Sequence, residues 1–279
     1  MLDYLFEQFD LNNDFALEDH LVFIAQVGSH AYNLHTEESD LDYTAVCVPP
    51  SRHIVGLGSF ESWQPEKGTL ANNADLKVYS IEKAILLLLK GNPSMLEILW
   101  LEPHLYLQTG RHFDLLIKHR SAFISKRAYK SLAGYARGQF QKMTAGKTHG
   151  YMDHKRKELV QAIGYDPKDA SHLIRLLEMG KELAETGELR VWRTGASRER
   201  IMDIKAGNWK LEDVKALANE LFEEAEAAFR RSALPEEPDM IVAEDILMEI
   251  QRTAIEQDER AKWCHACKEW TNHRMNAHL

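Results

Sequence analysis

A glycine and a serine, Gly28-Ser29, stand eleven residues ahead of Asp40-Leu41-Asp42, and the acids open a largely apolar run that ends at Val48. Residues two apart on a strand project to one face, so Asp40 and Asp42 can share cations. Asp75 heads a later run of the same kind, ADLKVYSI, and brings a third carboxylate to the same edge. Three acids at one point repel one another unless cations neutralise them, and carboxylate oxygens suit hard ions such as Mg²⁺ or Mn²⁺. Gly28 lacks a Cβ, so backbone N–H groups there can approach a phosphate, and the Ser29 hydroxyl can donate to it. The chemistry that uses all of these features is two-metal phosphoryl transfer. An isolated Asp-Leu-Asp is a solvated turn in most chains. The Gly-Ser pair upstream is what turns it into a site.

The elements that must position these residues follow from hydrophobic period. HLVFIAQVGS reads as a buried strand ending at the Gly-Ser turn, DLDYTAVCVPP as a second strand closed by Pro49-Pro50, and ADLKVYSI as a third. HAYNLHTEES between the first two is expected to form a short helix and a loop, and residues 51–74 loops with one short strand. Helices follow over IEKAILLLLK and, after the stop at Gly91-Asn92-Pro93, over PSMLEILWL. From about residue 104 the pattern is helical: Gly110 to Lys118, Ser121 to Met143, Asp153 to Ala162, Lys168 to Thr186, Ser197 to Lys205 and Leu211 to Arg231. Pro235 and Pro238 mark a linker before a last helix over most of the remaining chain. The expected fold is α+β, a mixed sheet with flanking helices followed by a helical module. The expected units are residues 1–104, 105–234 and 235–279.

A second constellation lies in that module. Lys155 and Lys157 precede a helix carrying His172 and Arg175, which are three apart and share a helical face. A cation facing the acids across a cleft would complete a triphosphate site, and Lys155 and Arg175 are the foremost candidates; the alternative is a surface lysine cluster with a helix-capping histidine. Asn92 reads as a turn residue, and Glu97 as structural rather than catalytic. The tail offers Cys264, Cys267, His273 and His278, a ligand set that tetrahedral zinc accepts. Trp263, Cys267, Trp270 and Arg274 step at helical intervals, however, and no glycine turns a compact knuckle, so a helix is expected over residues 240–278.

Composition bounds the rest. With 279 residues, 44% of them apolar, the chain can bury a substantial core. It has no apolar run of membrane-spanning length, and three cysteines cannot frame a domain of this size, so a cytoplasmic protein without a membrane partner is expected. The formal charge is −9, yet residues 111–157 hold twelve Lys or Arg against Asp114 and Asp153, while residues 212–259 are strongly acidic. The positive block suggests an anionic ligand, a triphosphate or a nucleic acid, against the plainer reading of two solvated helix faces.

With Gly28-Ser29, Asp40-x-Asp42 and a single later acid in that order, the chain resembles the nucleotidyltransferase superfamily that includes DNA polymerase β. It is most similar to the RNA-ligase-associated nucleotidyltransferases, the RlaP-like proteins. GSHAYNL, SDLDYTAVCVPP, KGNPSMLEILW, HKRKELVQAIGYDPKDASHLIRLLEMGKELAETGEL and SALPEEPD carry this likeness over roughly residues 20–240. The resemblance implies a nucleotidyltransferase core, two divalent ions and transfer of a nucleoside monophosphate from an NTP to a hydroxyl, with release of pyrophosphate. Asp40 and Asp42 would hold both ions, and Asp75 one ion and the attacking hydroxyl. Gly28 and Ser29 would grip the β and γ phosphates, with Lys155, His172 and Arg175 completing the nucleotide site. His30 departs from the small residue common after Gly-Ser, and is expected to cap the short helix rather than to touch the nucleotide. The acceptor implied is RNA; alternatives are a small molecule, a protein side chain, or nucleotide binding without turnover in an antitoxin-like partner protein.

Overall fold

The computed structural model describes residues 2–66, 68–70, 74–144 and 154–275, with side chains for all of these except 154–156 and 259–275. It opens on α1 (Leu2–Asp10), whose Leu5, Phe6 and Phe9 form one buried stripe. A single turn, α2 (Leu17–His20), leads into β1 (Leu21–Gln26), followed by β2 (Asp42–Cys47), α3 (Ser51–Ile54), β3 (Ser62–Trp63) and β4 (Asp75–Ser80). Two helices come next. Ser80 caps α4 (Ile81–Leu89) by accepting from the Lys83 N–H, and Asn92 caps α5 (Pro93–Ile98) through the Met95 N–H, with proline in the first turn. A fifth strand, β5 (Tyr106–Thr109), lies beyond residue 104, where the sequence pattern reads as helix.

The strands form one mixed sheet in the order β3-β4-β2-β1-β5. β1 runs antiparallel to β2 and β5, β3 antiparallel to β4, and β2 and β4 are parallel. Because strand side chains alternate, each face of this sheet has its own core. Ile24, Tyr43, Ala45, Cys47, Leu76 and Val78 pack on α1. Val22, Ala25 and Val46 pack on α4 and α5, and through them on the helices that follow.

Those helices are α6 (Phe113–Lys118), α7 (Lys126–Thr144), α8 (His154–Ile163), α9 (Pro167–Thr186), α10 (Gly195–Lys205) and α11 (Leu211–Arg231). Buried on almost every side, α9 starts at an Asp166 cap with Pro167 in the first turn and ends at Gly187 with φ +75°. It packs between α7 and α11, whose Tyr129 and Phe229 rings stack at 4.2 Å. The last helix, α12 (Met240–Met275), returns to lie on α3 and α4. The fold is therefore α+β, a mixed sheet with flanking helices and then a helical module. No helix among the described residues is long and apolar enough to cross a membrane.

Candidate active site

Both β2 and β4 begin with an aspartate, and the two strands are parallel and in register, so Asp42 and Asp75 are direct neighbours across the pair. The backbone seals this edge: Val27 N–H donates to the Asp42 carbonyl at 2.8 Å and Asp75 N–H to the Leu41 carbonyl at 2.9 Å. Gly28 then turns away at φ +65°. A Cβ at Gly28 would stand 2.1 Å from Asp42 Oδ2, so only glycine lets the chain pass the carboxylate. Burial pushes the Asp42 carboxyl up, the negative charges of Asp75 and Asp40 push it further, and Lys168 and Lys77 offset part of the rise. Gln64 Nε2 donates to both Asp75 oxygens, at 3.0 and 3.2 Å.

Gly28, Asp42 and Asp75 line a cleft of about 530 Å³ that continues along β4, α4 and α5 to Tyr135 on α7. Asp40 is exposed just before β2, close enough for its charge to act on Asp42. Ser29 begins the next turn, where its carbonyl accepts from the Leu34 N–H at 3.0 Å. The segment expected to hold a short helix here is a series of turns instead. The helical module stitches those turns down: Arg193 N–H donates to the Tyr32 carbonyl at 3.1 Å, Arg198 Nε to that of Asn33 at 2.7 Å and Lys205 Nζ to that of Leu34 at 2.6 Å. His30 stacks on His35 at 4.2 Å, and burial, then His35 and Lys205, keep its imidazole below the usual histidine range.

The expected cations of α9 are placed differently from a free phosphate clamp. Arg175 is 4% exposed, donates to Glu97 Oε1 at 2.9 Å, and lies 3.4 Å over the Tyr32 ring, whose hydroxyl donates to Glu97 Oε2. A guanidinium buried this deeply needs such a counter-charge, so Arg175 is committed beneath the cleft wall. Glu97, which also lines the cleft, is held by Arg175 and Tyr32, and Asn92 is a helix cap. His172 sits beside Tyr135, and burial, then Arg175, Lys142 and Lys168, lower its pKa to about 3. The Lys155 side chain lies outside the described residues, as do the side chains of Cys264, Cys267 and His273 on α12, and His278.

Three cleft residues stand out that motif reading passes over. Lys77 and Tyr79 follow Asp75 on the same face of β4, and Lys83 on α4 is held at the rim by Glu61 at 2.8 Å. The alternation D-L-K-V-Y carries the signal for the first two.

An acid edge beside a positive-φ glycine, with a helical module closing over the turn, gives the sequence resemblance its geometry. The model of the family described as the RNA repair pathway DNA polymerase β family, RlaP, matches residues 6–249. The chain belongs to the RlaP family. The chain is also 31% identical over 124 residues to an uncharacterized 38.9 kDa protein of the nrdC-mobD intergenic region of Enterobacteria phage T4. That match covers 41% of this chain and 36% of the phage protein, so the chain spans about a third of its relative's length. A nucleotidyltransferase-like protein from Exiguobacterium sibiricum 255-15 superposes over 84% of this chain and 74% of its own, with a TM-score of 0.28 and 12% identity.

Proposed function

We propose that the protein transfers a nucleoside monophosphate from an NTP to a hydroxyl at the end of an RNA, releasing pyrophosphate. The observation that supports this most is the in-register pair Asp42–Asp75 beside Gly28: acids and a phosphate-accommodating turn share one sheet edge. The donor set fits hard divalent ions, since it is all carboxylate oxygen, and Gly28 leaves the Asp42 carboxylate the room a side chain would fill. Among the described residues the acids do not close a three-ligand cage by themselves, so phosphate oxygens of the nucleotide would supply the remaining ligands. Asp40 and Asp42 would hold two Mg²⁺ or Mn²⁺ ions and Asp75 one of them. Once bound, the ions neutralise phosphate charge and lower the pKa of the acceptor hydroxyl.

The chain's own groups divide the remaining work. Gly28 N–H and Ser29 receive the β and γ phosphates, and Asp75, oriented by Gln64, holds the acceptor hydroxyl and takes its proton. The acceptor oxygen then displaces pyrophosphate from the α-phosphorus: one P–O bond forms and the bridging P–O bond breaks. Arg175 acts indirectly, by fixing Tyr32 and so the turn that carries Ser29.

Incubation with each labelled NTP, Mg²⁺ or Mn²⁺ and a pool of small RNAs tests this reading. Label in RNA is expected. Label in the protein or a small molecule would name another acceptor, and NTP binding without any product would make this a binding protein.

A further inference from the structure

The floor of the cleft is a row, Asp75, Lys77 and Tyr79, on one face of β4, while Leu76 and Val78 between them are buried on the other. Thr44 on β2 is in register with Lys77 and lines the cleft with it. Lys77 is exposed, and among the described residues no ion pair engages it, whereas Lys83 at the rim is tied to Glu61. The nucleotide's side of the cleft is set by Gly28, which follows β1; Asp75 lies two strands away, toward the sheet edge, with Gln64. An acceptor whose end lies at Asp75 and whose chain runs along the cleft floor follows β4, where the next side chain on that face is Lys77.

We infer that Lys77 receives the last phosphodiester of a nucleic-acid acceptor, so that the 3′ end of a single-stranded RNA lies along β4 with its hydroxyl at Asp75. Two residues of strand span about 6.7 Å, a reach suited to holding a terminal hydroxyl and a neighbouring phosphate at once. Tyr79 and the half-exposed Tyr135 on the opposite wall add ring faces suited to unpaired bases. This deepens the RNA-acceptor reading above and rests on it.

The test is equilibrium binding of a labelled single-stranded RNA without NTP, titrated from low to moderate salt, for the parent, Lys77→Gln and the exposed control Lys118→Gln. Neutralising one phosphate on a single strand contributes about 0.7 to the slope of log K against log salt. Lys77→Gln is expected to reduce that slope by about 0.7 and to weaken RNA binding about tenfold at low salt. Its affinity for Mg²⁺-NTP by calorimetry should change less than about twofold, and Lys118→Gln should leave both binding constants as in the parent. An unchanged slope in Lys77→Gln, or a slope reduced equally by Lys118→Gln, overturns the assignment. So does an equal loss of NTP affinity, which would make Lys77 a neutraliser of the acid cluster. A parent that binds no RNA overturns both this inference and the RNA acceptor, and is recognised without any variant.

Discussion

Gly28 has no room for a side chain, because its φ of +65° and the 2.1 Å approach of Asp42 Oδ2 to a built Cβ exclude even a methyl group. Gly28→Ala is expected to lower stability by roughly 1–3 kcal/mol through backbone strain alone. By displacing the Asp42 carboxylate it should also weaken NTP binding at least about tenfold, beyond the loss of one charge-assisted contact. Urea denaturation and calorimetry on the same variant check both; parent-like values would place the phosphate turn elsewhere. At this scale much was legible from residue type and spacing. Glycine, serine and acids at strand ends have few other uses in that order, and Asp42 and Asp75 do meet. Arg175 was not legible as a buried residue, because its partner Glu97 lies 78 residues away and only tertiary packing joins them. Lys77 was readable in principle, from strand period alone.

At the scale of elements, the parallel pairing of β2 and β4 is what joins acids 33 residues apart, and helices α9 and α10 hold the turn beside them. The buried Arg175–Glu97 pair is the joint between sheet-flanking α5 and the helical module. Arg175→Met leaves a carboxylate buried without its cation and is expected to cost about 3–5 kcal/mol in urea denaturation, whereas adding Glu97→Gln should recover part of the loss. A single variant within about 1 kcal/mol of the parent would show that the joint contributes little. Long amphipathic helices such as α9 and α11 were readable because burial of one stripe imposes a 3.6-residue period. β5 was not: four residues carry almost no alternation, and its place is set by β1, more than 80 residues upstream. The turns after Ser29 escape for a related reason, since beyond their local hydrogen bonds they are held by Arg193, Arg198 and Lys205, far downstream in the chain.

Across the whole molecule the charge asymmetry finds a structural outlet. Lys126 pairs with Glu236, Arg127 with Glu237 and Arg137 with Glu226, each at 2.6–2.7 Å, so part of the basic block faces the acidic one across the helical module. These pairs are exposed at one or both partners and each is worth little on its own, but they withdraw those cations from service as an open nucleic-acid surface. The cations whose charge acts on Asp42 are Lys168 on α9 and Lys77 on β4, neither of them a member of that block. Family membership, the sheet edge and the cleft thus converge on one region, and the central claim is that its carboxylates divide nucleotide binding from catalysis. The direct measurement is NTP affinity by calorimetry, with Mg²⁺, beside single-turnover rates for Asp75→Asn and Asp42→Asn. Asp75→Asn is expected to bind Mg²⁺-NTP nearly as the parent does and to react at least about 10²-fold more slowly, while Asp42→Asn loses binding and turnover together. An Asp75→Asn variant that reacts at the parent rate would contradict the account.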